Sequence, residues 1–178
     1  MTLSDLSSIV GVISGLAVLG SLVYLAQQTR QNAKHTRALI QQGRAEQIIA
    51  ATTRMAENVS LTALRMRGGE GDTTLDRVQL HQYFAMMGSV FFTWEDQFYQ
   101  NRDGLLDGNR YAGSVKAIEI EFQRPGVRLV YKQMRPYFAH EFQSFLDGVM
   151  DRTRVATSPD RVALWKGGIE AELSGASA

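Results

Sequence analysis

A chain of 178 residues, 44% of them apolar and 21% charged, has room for one globular domain and a short appendage. Its formal charge of +1 supplies no concentrated field of Lys and Arg for a phosphate backbone, so nucleic acid is not an expected partner. The lack of cysteine excludes disulfides, thiolate nucleophiles and cysteine-held metals together, and three prolines with few alternating β-branched runs favour helix over sheet.

From Leu6 to Thr29 the only ionisable side chain is Tyr24. About 20 apolar residues at 1.5 Å each cross the hydrocarbon layer of a bilayer, and a helix satisfies its own backbone there, which makes internal glycines tolerable. The run reads as a retained transmembrane helix. A cleaved leader would want basic residues before the apolar run, where Met1-Thr2-Leu3-Ser4-Asp5 stands instead. Arg30, Lys34, Arg37 and Arg44 follow the run, and this basic flank predicts a cytoplasmic C-terminal side. The same cluster can meet anionic lipid heads, so a purely lipid-surface role for this helix is a further alternative. Gly11 and Gly15 form a GxxxG with Ser7, Ser8 and Ser14 on or beside the same face, a small-residue surface through which two membrane helices approach closely. It predicts association with a second copy or with another membrane protein.

Gln27 through Arg67 contains no proline and one glycine, so the membrane helix is expected to continue, with a bend near Gly43. Gly68-Gly69-Glu70-Gly71-Asp72 is expected to be a loop, with Thr73-Thr74 capping the next helix and Asp76 in its first turn. That helix carries Val78, Leu80, Tyr83, Phe84, Met87, Val90, Phe91, Trp94 and Phe98 at three- and four-residue steps and reads as the core of a bundle. Gly104 and Gly108 are expected to turn the chain with positive φ, ahead of a helix over 111–123. A break at Arg124-Pro125-Gly126 precedes a helix from Val127, a kink at Pro136, and a last amphipathic run through Phe138, Phe142, Phe145, Leu146 and Val149. Ser158-Pro159-Asp160 signals a capped short helix through Trp165, and the residues from Ser174 are expected to fray.

The three histidines are scattered, and no His or carboxylate stands at metal-helix spacing. Glu95-Asp96, Glu119 and Glu121 are the acid pairs within helices, and sequence neighbours on a helix do not converge as general acid–base chemistry requires. No nucleophile-elbow, kinase, P-loop or dinucleotide signature is present. Glu95 is the candidate buried polar group, because an inward carboxylate in the aromatic helix demands a partner such as a buried Arg; the favoured reading of it is a structural ion pair or a partly exposed edge.

Three stretches together resemble a widespread group of uncharacterised bacterial proteins with one N-terminal transmembrane helix and a cytoplasmic all-helical domain. They are Tyr24-Leu25-Ala26-Gln27-Gln28-Thr29-Arg30-Gln31-Asn32; Phe91-x-x-x-Glu95-x-x-x-Tyr99 running into Gly104-Leu105-Leu106-Asp107; and Pro125-Gly126-Val127-Arg128 followed by Phe142-x-x-Phe145. The resemblance covers about residues 5–150 and makes Asn32, Glu95, Pro125 and Gly126 pattern positions, with Tyr131 and the tail after Arg152 variable. It implies an architecture and carries over no activity.

The expected fold class is therefore all-α, a single N-terminal transmembrane helix continuing into a cytoplasmic helical bundle. The expected divisions are an anchor over 1–29, a juxtamembrane helix over 30–67, a bundle core over 68–152 and a short helix with a tail over 153–178. The expected role is a non-enzymatic, membrane-anchored protein without cofactor or metal, which contacts lipids and self-assembles or serves as an accessory subunit of a membrane complex. The alternative is a ligand-sensing or catalytic bundle with a pocket among Tyr83, Phe91, Trp94, Glu95 and Tyr99.

Overall fold

The computed structural model describes the backbone of residues 3–156 and 160–175, and within these the side chains of Gly11 and of residues 14 onward. The chain is all-helical, and no strand occurs among the described residues. Helices α1 (Leu3–Glu57), α2 (Val59–Glu70), α3 (Arg77–Arg102), α4 (Gly108–Phe122), α5 (Pro125–Met134), α6 (His140–Arg152) and α7 (Arg161–Gly175) follow one another, with a 3-10 turn over Arg135–Tyr137. Two compact units result, Met1–Thr53 and Arg54–Ala178.

In the first unit the helix is uninterrupted. The expected bend at Gly43 is replaced by a break at Asn58, whose side chain accepts from the Leu61 amide at 2.9 Å and starts α2 afresh. Among the described residues no helix is long and apolar enough to cross a membrane. The described side chains of the apolar run are Gly11 and those from Ser14 onward; Ile9, Val10, Val12 and Ile13 lie outside them.

The second unit is organised around α3. Its start is fixed by Asp76, which accepts from the amides of Val78 and Gln79 while Gln79 returns a bond to the Asp76 amide, a reciprocal capping box. Asp76, not Thr73 or Thr74, is thus the cap. Tyr83, Met87, Phe91 and Trp94 lie on the buried face of α3, while Val78 and Leu80 face out. Phe91, fully buried, has its ring centroid 5.2 Å from Trp94, 5.8 Å from Tyr131, 6.0 Å from Phe138 and 6.4 Å from Phe122. One side chain from α3 therefore joins α4, α5 and the segment before α6.

Several boundaries differ from expectation for local reasons. Gly104 turns the chain with φ +70, but Gly108 is the first residue of α4, because Asp107 caps that helix by accepting from the Asn109 and Arg110 amides. Pro125 is itself the first helical residue of α5, where its missing N–H is no loss. In α7, Asp160 accepts from the Val162 and Ala163 amides and the helix continues to Gly175, well past Trp165. The proposed Ser158-Pro159 cap lies outside the described residues.

The expected loop at Gly68-Gly69 is helical: both glycines belong to α2 and are buried, and the helix ends at Gly71 with φ +79. A helical glycine costs about 1 kcal/mol relative to alanine, and tertiary packing outweighs that here. A Cβ on Gly68 would meet the Tyr83 ring at 2.5 Å, and one on Gly69 would lie inside the Arg124 guanidinium. Gly126 of α5 in turn lies directly on the Gly68 carbonyl oxygen. The glycines are where α2, α3 and α5 come closest.

Candidate functional site

From Leu16 to Leu25 the surface of α1 is largely apolar and unpacked. Leu16, Val18, Leu19, Leu22, Val23 and Leu25 are each 57–63% exposed, and a Cβ on Gly11 or Gly15 would meet nothing within 4 Å. Ser14 is exposed on the same stretch, whereas the side chains of Ser7 and Ser8 lie outside the described residues. Two hydroxyl groups of the run bond within the helix: Ser21 Oγ donates to the Ala17 carbonyl and Thr29 Oγ1 to the Leu25 carbonyl, both at 2.8 Å. This bonding one turn back removes hydroxyl groups from the need for water. Arg30, Lys34 and Arg37 are exposed beyond it, and Arg44 is half-buried with its Nε lacking a hydrogen-bond partner among the described residues.

Glu95 lies at a partly exposed edge of α3. It is half-buried, and its carboxylate accepts from the Ala139 amide at 2.9 Å. Ala139 occupies the N-cap position of α6 and has no side chain able to cap, so a carboxylate from α3 satisfies the free amide and complements the positive end of the helix dipole. Its partner is thus a backbone amide, not a buried Arg. Glu95→Ala is expected to destabilise the fold by about 1 kcal/mol, the usual worth of an N-cap, and Glu95→Gln, which keeps an acceptor oxygen, by less; urea melts of the two variants compare them. The other members of the suggested pocket, Tyr83, Phe91 and Trp94, are buried against one another and their neighbours, and the Arg102 guanidinium lies 4.5 Å over the half-buried Tyr99 ring.

Three polar clusters escape sequence reasoning because their members are distant in the chain. In one, Glu121 receives Arg65 at 2.7 Å and lies 3.6 Å from Arg124, whose Nη2 donates to the Met66 carbonyl at 3.2 Å. Tyr83 lies beside this cluster, and burial pushes its hydroxyl up to about 12. In the second, Arg135 forks onto Asp147 at 2.7 and 3.1 Å, and the buried Tyr131 donates to the same carboxylate at 2.8 Å. The Arg135 hydrogen bond holds Asp147 below the usual carboxylate range, and burial raises Tyr131. In the third, Arg128 donates to the carbonyls of Phe122, Met150 and Thr153, binding the C-terminal ends of α4 and α6. Each cluster ties helix to helix. His35, His81 and His140 are exposed, and among the described residues no group of His and carboxylates can hold a metal ion.

No family model, no curated protein and no solved structure matches the chain.

Proposed function

We propose that this chain is a non-enzymatic, membrane-anchored helical protein that self-assembles or serves as an accessory subunit of a membrane complex. In this reading the Leu6–Thr29 run crosses a bacterial cytoplasmic membrane, and the bundle lies on the cytoplasmic side behind Arg30, Lys34, Arg37 and Arg44. It also agrees with the resemblance to single-span bacterial proteins with a helical domain. The observation that carries it is the exposed row from Leu16 to Leu25. An apolar surface of this length is not left to water in a stable protein, and lipid tails or another membrane helix cover it in this reading. The open surface at Gly11 and Gly15 is the one through which a second helix approaches.

Membrane fractionation tests the anchor. The chain is expected to remain in the membrane pellet after alkaline carbonate and to be released by detergent. Val18→Arg combined with Leu19→Arg is expected to shift it to the soluble fraction, since each charge at a span centre costs about 2.5–3.5 kcal/mol on insertion scales. Release of the unaltered chain by carbonate alone would overturn the reading. For assembly, Gly15→Leu is expected to lower the oligomeric state in detergent; an unchanged state would locate association elsewhere.

A further inference from the structure

Helix α7 has fifteen residues and no buried one. A lone helix of that length is marginal in water, and Gly167-Gly168 at its middle weakens it by about 1 kcal/mol each. Asp160 caps its first turn, but no base stands in its last turn, and Glu170 and Glu172 lie towards the C-terminal end, which favours cations. Among the described residues Arg161, Lys166, Glu170 and Glu172 have no ion-pair partner. Val162, Trp165 and Ile169, respectively 62%, 70% and 41% exposed, form one stripe by the 3.6-residue period. Lys166 and Glu170 run along one edge of that stripe, and Arg161 and Glu172 along the other.

We infer that α7 pairs antiparallel with α7 of a second copy of this chain, centred on residue 167 and joined by the Val162–Trp165–Ile169 stripe. In an antiparallel pair each edge meets the same edge of its partner. About one centre, Trp165 then faces Ile169, Lys166 faces Glu170, and Arg161 faces Glu172, every pair made twice. The opposed dipoles bring the positive end of each helix beside Glu170 and Glu172 of its partner. A parallel pair sets one edge against the other and leaves Lys166 about five residues from the nearest charge of the partner, so it gains none of these pairings. The inference extends self-assembly to a second surface and holds whether or not α1 associates through Gly11 and Gly15.

The natural absence of cysteine makes a single introduced thiol unique, and a disulfide forms only where Cα atoms come within about 7 Å. In full-length protein in detergent, Arg161→Cys copies mixed with Glu172→Cys copies are expected to cross-link under mild oxidation. Each variant alone is expected not to do so, because like positions are then about 15–18 Å apart along the axis. Lys166→Glu is expected to abolish the mixed cross-link and Lys166→Glu with Glu170→Lys to restore it, a rescue that damage to the helix cannot produce. Cross-linking of either variant with itself, which a parallel pair gives, or no mixed cross-link, which α7 lying on a lipid surface gives, would overturn the inference. Gly15→Leu reads the α1 surface separately, so failure of one leaves the other standing.

Discussion

Gly126→Ala is expected to abolish the native packing of the second unit. The added methyl would occupy the position of the Gly68 carbonyl oxygen, with the Gly69 carbonyl 3.1 Å away on the same side. A flexible side chain could swing aside, but these are backbone atoms of a buried helix turn. Relief therefore requires α2 and α5 to separate, and the cost should exceed about 3 kcal/mol, the upper end of ordinary overpacking. The comparison is Gly148→Ala in α6, where the new methyl meets nothing within 4 Å and should stabilise by about 0.5–1 kcal/mol through the unfolded chain's lost freedom. Urea melts followed by circular dichroism give both. A Gly126→Ala variant within 1 kcal/mol of the unaltered chain would show that the α2–α5 approach is looser than described.

Phe91→Ala is the second large effect, at about 3–5 kcal/mol. The ring is fully buried and has four aromatic neighbours contributed by its own helix, α4, α5 and the segment leading into α6. Removing it leaves a cavity bounded by large rigid rings, which collapse poorly. Phe91→Leu should cost less, because most of the volume stays filled. Its neighbour Phe92 is 51% exposed and, among the described residues, meets one aromatic ring, Phe138 at 5.4 Å. Phe92→Ala should therefore cost about 1 kcal/mol or less. Thermal melts of the three variants test the ordering, and equal losses for Phe91→Ala and Phe92→Ala would contradict this picture of the core.

The helical class and the central place of α3 were legible because Tyr83, Met87, Phe91 and Trp94 recur at helical spacing, and that spacing is a local property. Asp107 and Pro125 lie near the expected punctuation, shifted by residues that act as caps rather than breakers. Gly68-Gly69 misled because glycine's poor propensity is local, while Tyr83 and Arg124, which make the glycines useful, lie far along the chain. Asn58 interrupts a run without proline, and its capping role emerges only with the hydrogen bond to Leu61. The Asp76–Gln79 box was readable from spacing, and the nearby Thr73-Thr74 drew attention from it. Arg135, Asp147 and Tyr131 carry no motif; only the return of α6 onto α5 brings them together. Glu95 is marked in the sequence as a polar residue on an aromatic helix, but the backbone amide that it meets leaves no trace there.

That amide has a kinetic meaning. Since Ala139 takes its acceptor from α3 and not from its own helix, the first turn of α6 loses a partner whenever α3 moves away. Exchange of the Ala139 amide with solvent deuterium should thus follow the opening of two helices as one cooperative unit, and not the fraying of α6 alone. In Glu95→Ala the same amide becomes a fraying helix end and exchanges early, while the buried interior of α6 around Leu146 keeps its protection.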